Sequence, residues 1–198
     1  MNEIITIGRQ FGAGGRELGK RLSKELQIPY YDKELLSEAA KLSGLSEKFL
    51  NQEDERVTNS LLYSLVMGTC TLTGQPSLEE LGWDAQRKAI LSVADKGGCI
   101  IVGRCADYVL RDRPNLLRLF VMDDMDRRIR HVSQRDQITP AQAEQKIRKM
   151  EKMRAAYYNS RTDSRWGAAE NYDLCLNISR IGRERALHII LDQVRDKK

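Results

Sequence analysis

The segment Ile4-Ile5-Thr6-Ile7-Gly8-Arg9-Gln10-Phe11-Gly12-Ala13-Gly14-Gly15-Arg16-Glu17-Leu18 constrains this 198-residue chain more than any other. A β-branched apolar run predicts a buried strand, the glycines predict a turn, and the residues from Gly15 onward have the period of an amphipathic helix. Strand, glycine-rich turn and helix in that order are the layout of a phosphate cradle. Gly12, Gly14 and Gly15 can take positive φ and turn backbone N–H groups toward an anion, and the helix N-terminus adds donors and partial positive charge. A plain strand-to-helix turn would use similar residues, so the order of the elements carries the weight.

Along the rest of the chain, short apolar runs alternate with longer amphipathic stretches, the pattern of a parallel sheet covered by helices on both faces. Strands are predicted at Glu3–Gly8, Ile28–Tyr30, Cys99–Gly103, Leu117–Met122 and Asp173–Ile178. The first helix, Gly15–Leu26, should bury Leu18, Leu22 and Leu26. Further helices are predicted from Asp32 to Gly44, from Ser46 to Met67, from Ser77 to Lys96 and from Thr139 through Met150, with a mobile loop over Gly68–Pro76. Ser77 and Glu80, and Thr139-Pro140-Ala141-Gln142, have capping-box spacing. No linker divides the sequence. Residues 1–198 therefore read as one α/β domain with two helical excursions, about 32–76 and 137–167.

Composition excludes several classes. With 41% hydrophobic and 31% charged residues the chain is neither disordered nor collagen-like. No apolar run approaches the roughly 20 residues that span a bilayer, and no basic region precedes the short apolar start, so a soluble cytoplasmic protein is expected. Four cysteines without a C-x-x-C pair and two histidines signal neither zinc nor a disulfide framework. The net charge of +5 is local: residues 104 to 165 hold fifteen Lys or Arg, twelve of them Arg, against nine Asp or Glu. Arginine's planar fork binds phosphate in bidentate fashion, although such runs are often only solvated helix faces.

The chain resembles the P-loop nucleoside monophosphate kinases, and among them the cytidylate kinase-like family. The resemblance rests on the opening GRQFGAGGRE, on Tyr30-Tyr31-Asp32, on Ile100-Ile101-Val102-Gly103-Arg104-Cys105-Ala106-Asp107, on Tyr157-Tyr158 before Trp166-Gly167, and on Asn171 to Ser179. It implies a three-layer P-loop kinase fold with a five-stranded parallel sheet in the order 2-3-1-4-5. It also implies a helical NMP-binding segment at about 32–76, an arginine-bearing lid at about 137–167, and ATP with Mg2+ as cofactors. Three departures stand out. The phosphate-loop Lys position is Gly15, with Arg16 and Glu17 following where relatives have a Gly or hydroxyl residue and then Thr. The Asp-Gly-Arg-Asp of cytidylate kinases is here Val102-Gly103-Arg104-Cys105, and Leu35 to Ala40 lacks their Arg.

The resemblance assigns Gly12, Ala13, Gly14, Gly15, Arg16 and Glu17 to the donor phosphates. Arg16, Arg104, Arg154 and Arg161 are the catalytic candidates, with Lys152 and Arg165 as further lid cations. Asp32, Arg104, Asp107 and Arg165 are candidates for the acceptor, although Asp32 also suits a helix N-cap. Asp107 and Asp123 follow strand ends, where metal or acceptor contacts gather in open α/β sheets, while Asp123-Asp124 fits better as a cap. No metal ligand set is legible. Tyr157, Tyr158 and Trp166 either anchor the lid helix or close over a base, and Ser179 to Gly182 falls where relatives hold adenine through backbone. The expected function is ATP-dependent phosphoryl transfer to a small phosphorylated acceptor, CMP or dCMP first. The alternative is a non-catalytic nucleotide-binding or regulatory domain. A sequence pI near 9.0 raises nucleic-acid binding, but no recognition motif supports it. Small-molecule nucleotides are the expected partners, with no specific nucleic acid and no membrane.

Overall fold

Strand β1 (Ile4–Arg9) has Ile4, Ile5, Thr6 and Ile7 all fully buried. Burial without alternation means that both faces of the strand are covered, as in a parallel sheet between two helical layers. The computed structural model describes residues 2–32, Leu35 and 78–195. Its remaining strands are β2 (Tyr30–Tyr31), β3 (Cys99–Val102), β4 (Leu116–Met122) and β5 (Leu174–Asn177). All pair in parallel in the order β2-β3-β1-β4-β5. Ile4 stands opposite Cys99 on one side and Leu116 on the other.

The helices are α1 (Gly15–Leu26), α2 (Leu78–Asp95), α3 (Ala106–Val109), α4 (Met125–Asp136), α5 (Pro140–Arg161), α6 (Ile178–Ile181) and α7 (Arg183–Arg195). Ile5 and Ile7 pack with Leu18 and Leu22 of α1 and with Ile190 and Leu191 of α7 on one face. Ile4 packs with Ala89, Ile90 and Val93 of α2 on the other. Each fully buried Ile or Leu contributes about 1.5–3 kcal/mol, so these two clusters set the layering. A third cluster joins Val132 of α4 to Ala143 and Ile147 of α5, with Phe11 of the loop packed against it.

The order 2-3-1-4-5 and the α1 boundaries stand as expected. Leu26 is only partly buried. Two boundaries move most. The second strand is Tyr30–Tyr31 and not Ile28–Tyr30: the Ile28 side chain enters the core while Pro29 O accepts from Ile100 N. Pro29 itself has no N–H to give a ladder. The helix expected to run from Thr139 through Met150 continues to Arg161, because no Gly or Pro interrupts it. Its capping box is present, with Gln142 N donating to Thr139 Oγ1 and Thr139 N to Gln142 Oε1. Asp124 occupies the N-cap of α4, but its side chain makes no cap bond. The helices expected at Asp32–Gly44 and Ser46–Met67, the loop Gly68–Pro76 and the Ser77 cap lie outside the described residues, Asp32 and Leu35 excepted. No described helix is long and apolar enough to cross a membrane.

Candidate functional site

β1 and α1 leave Gln10 to Gly14 to make the turn, and it does so through two left-handed glycines, Gly12 at φ 83° and Gly14 at φ 82°. An L-residue pays about 1–2 kcal/mol for that conformation. Packing adds a second demand. A Cβ at Gly12 would stand 2.9 Å from Val132 Cγ2, and one at Gly15 would stand 2.8 Å from Arg9 Cβ. Ala13 turns into the core. The amides of Gly15, Arg16 and Glu17 precede the first helical bond, Leu18 N–H to Gly14 O at 3.0 Å, so they open the helix as unspent donors.

Two other helices hold this loop from behind. His131 Nδ1 donates to Gly12 O at 2.9 Å, since a carbonyl can only accept. Arg128, buried and ion-paired with Glu151, reaches Phe11 O at 3.5 Å. The guanidinium groups of Arg135 and Arg154 stand over the Phe11 ring, 5.1 Å and 5.2 Å from its centroid. Such cation–π contacts are worth about 0.5–2 kcal/mol each and fix the cations in place. Arg154 also donates to Arg9 O at 3.0 Å. The result is a concavity lined by Arg9 to Gly12, Gly14 to Glu17, His131, Arg135 and Arg154. Asp136 is the counter-ion of Arg135 and Lys146, which together hold its carboxyl well below the usual range.

The predicted arginines divide. Arg16 lines the concavity and pairs with Asp32, Nε to Oδ2 at 2.7 Å and Nη2 to Oδ1 at 3.4 Å. Arg104 donates from Nε to the backbone oxygen of the same Asp32 at 3.2 Å. Arg154 sits at the loop. Arg161 lies 5.9 Å over the Trp83 ring of α2, and Lys152 and Arg165 are exposed outside the concavity. Asp32 is buried beneath Arg16.

Asp107 and Asp123 face inward and are engaged. Tyr158 Oη donates to Asp107 Oδ2 at 2.7 Å, and burial pushes both pKa values up. Asp123 accepts from Asp124 N at 2.9 Å and from the Ser179 hydroxyl, with Arg127 Nε at 3.6 Å. The aromatics are packing groups. Tyr157 Oη donates to buried Gln86 at 2.7 Å, and Trp166 meets Phe120 edge-on at 5.5 Å. They anchor the end of α5 and the segment after it to the core. Among the described residues no three His, Cys, Asp or Glu side chains gather as a metal site.

Sequence reasoning missed Arg9, Phe11, His131 and Arg135. His131 and Arg135 are four apart and so share one face of α4. That spacing was a usable signal, but nothing in it says which face meets the loop.

The sequence profile of the cytidylate kinase-like family matches residues 4–180. The chain belongs to that family. Among solved structures, an uncharacterized protein from Eubacterium ventriosum is similar at TM-score 0.74 and 30% identity, covering 98% of both chains. Two shikimate kinases share the fold. The one from Bacteroides thetaiotaomicron has TM-score 0.54 and 15% identity, covering 98% of this chain and 99% of its own. The one from Acinetobacter baumannii, in complex with shikimate, has TM-score 0.52 and 14% identity, covering 100% and 95%. Comparison with curated proteins gives no match. Membership in the cytidylate kinase-like family supports a nucleotide or small-molecule kinase, and the sheet order is that of the P-loop kinase fold.

Proposed function

We propose that the protein transfers a phosphoryl group from ATP to a small phosphorylated acceptor, with a nucleoside monophosphate such as CMP or dCMP as the first candidate. One observation carries this reading. The cation that closes the glycine loop, Arg16, and the cation at the end of β3, Arg104, both reach Asp32, one through its carboxylate and the other through its carbonyl. A donor-side and an acceptor-side charge thus meet at one residue beside a row of unspent amides. Phosphoryl transfer asks little covalent chemistry of a protein, so catalysis is mostly positioning and charge neutralisation.

The residues present fit the polyphosphate of ATP: the amides of Gly15 to Glu17 and the side chains of Arg16 and Arg154 face one concavity. Arg16 takes the place of the absent loop lysine, and Arg154 is the lid cation nearest to the loop. Glu17 is the carboxylate that lines the concavity among the described residues, which suits magnesium held by one carboxylate plus substrate phosphates. Bound magnesium would neutralise phosphate charge. Arg104 orients the acceptor phosphate, and Asp32 fixes the distance between the two arginines. The segment after Asp32 and the span 137–167 serve as acceptor-binding segment and lid in this reading.

The missing lysine and the engagement of Arg16 by Asp32 favour a second reading, nucleotide binding without transfer. A coupled assay with MgATP against nucleoside monophosphates, beside thermal-shift titrations with and without magnesium, separates the two. Turnover is expected, with Arg16→Ala weakening ATP binding about tenfold and Arg104→Ala raising KM for the acceptor instead, as loss of a charge-assisted contact worth about 1.5–3 kcal/mol implies. Magnesium-insensitive binding with no product on any acceptor would establish the second reading.

A further inference from the structure

We propose that the side-chain amide of Gln10 is a hydrogen-bond donor to the phosphate held in the concavity, an inference that rests on the phosphate-loop reading above. β1 leaves the sheet one bond early. Arg9 stands opposite Val121, so one further rung of the parallel ladder would run from Gln10 N to Val121 O and from Asp123 N to Gln10 O. Only the first half forms, with Gln10 N donating to Val121 O at 2.9 Å. The Gln10 carbonyl has turned into the glycine loop, where it accepts from Ala13 N at 3.4 Å. Asp123 N donates instead to the side-chain oxygen of the same residue, Gln10 Oε1, at 3.1 Å. The side chain fills the place in the ladder that its own backbone gave up.

That bond fixes the amide. A backbone N–H can be met only by the oxygen of a carboxamide, so Oε1 and Nε2 cannot exchange places without losing it. Asp123 is fixed in turn, since its carboxylate accepts from Asp124 N and from the Ser179 hydroxyl. What remains of Gln10 is Nε2 with its N–H groups. Among the described residues no acceptor meets it, and it is not sealed from solvent. Gln10 lines the concavity together with Arg9, Arg16, Arg135 and Arg154. A further cation in that company would be repelled by its neighbours, whereas a neutral amide is not. Its hydrogen bond to a phosphate oxygen is still strengthened by the charge on the acceptor. A donor locked to the end of β4 is also in place before the ligand arrives, so little rotamer freedom is lost on binding.

The test needs no turnover and uses inorganic tripolyphosphate as the probe. In proton–nitrogen correlation spectra of the whole chain, the side-chain NH2 pair of Gln10 is assigned by its absence in Gln10→Glu. At saturating tripolyphosphate that pair should move downfield together with the backbone signals of Gly15 to Glu17. Calorimetry should give a loss of affinity of about tenfold for Gln10→Ala, as one charge-assisted contact implies. The loss should be larger for Gln10→Glu, which keeps an oxygen for Asp123 N but turns the donor into an anion. An NH2 pair that stays in place while the backbone signals move overturns the proposal and leaves the loop reading intact; any affinity lost in Gln10→Ala would then come from support of the loop. Unchanged affinity in Gln10→Ala overturns it as well. Wild type that binds no tripolyphosphate overturns both readings.

Discussion

The turn after β1 and the turn after β3 are built from similar conformations and put to opposite uses. The first places left-handed residues at Gly12 and Gly14, and the second runs three in a row, Gly103 at φ 74°, Arg104 at φ 61° and Cys105 at φ 56°. After β1 the next element is a twelve-residue helix whose first amides are unspent. After β3 the helix has four residues, and the amides fold back on the turn. Gly103 N donates to Ile7 O, Ala106 N to Gly103 O, and Tyr108 N and Val109 N to Cys105 O. Left-handed backbone alone therefore does not leave amides open to a ligand; a following helix of several turns, whose first N–H groups precede its first hydrogen bond, does. The second turn spends its backbone on rigidity and offers a side chain, Arg104. Arg9 joins the two turns, its guanidinium lying where a Cβ of Gly103 would be.

Gly12→Ala breaks the comparison most severely. Left-handed strain and the clash with Val132 should cost about 2–3 kcal/mol in urea unfolding, and tripolyphosphate binding should vanish from calorimetry. Retained stability and binding would mean that the first turn owes nothing to its glycines.

Behind the second turn, Tyr158→Phe should cost about 1–3 kcal/mol, because it leaves the buried Asp107 carboxyl without its hydroxyl donor. Unchanged unfolding midpoints would show that water serves Asp107 equally well. The same carboxyl predicts a pH dependence. Burial raises its pKa in the folded state, so the native protein binds the extra proton. Stability is then fully present below the ordinary carboxylate value of about 3.9 and declines as pH rises toward the folded-state pKa. Asp107→Asn, which keeps an acceptor for Tyr158, should flatten that decline and raise the melting temperature above pH 7; an unaltered slope would assign it to other groups.

The smallest effect isolates strain. Arg104→Gly and Arg104→Ala both lose the guanidinium, so glycine's advantage in unfolding free energy, expected near 1 kcal/mol, measures what the left-handed Arg104 costs. No difference would mean that the turn relaxes when its side chain is lost.

The strands were legible because each is a short apolar run bounded by polar or glycine residues, and the sheet order followed from the resemblance. The first turn was legible for the same reason, since its glycines stand in sequence between a strand and a helix. What surrounds it was not. Arg135 and His131 come from α4, Arg154 from α5, and their meeting at Phe11 and Gly12 depends on how two helices pack through Val132, Ala143 and Ile147. Periodicity gives a helix its apolar face but not the rotation that decides which cation beside that face reaches a loop. The cover over Asp107 was illegible on similar grounds. The place of Asp107 after a strand end was read correctly, but Tyr158, fifty-one residues later, covers it.

The register of β1 has one more consequence, for the order in which the protein can be made. β1 leaves the ribosome before either of its partners, for Ile4 pairs with Cys99 and Leu116, and the far end of the strand with Val121. Until synthesis has passed Val102, the strand that bears the glycine loop has two bare edges, and until it has passed Met122 it still has one. Pairings so distant in sequence are slow to close, and bare apolar edges are the surfaces on which nascent chains aggregate. Ribosome-bound chains stalled before β4 should therefore carry a glycine loop framed on one side only, and its frame would be complete only when β4 has joined the sheet.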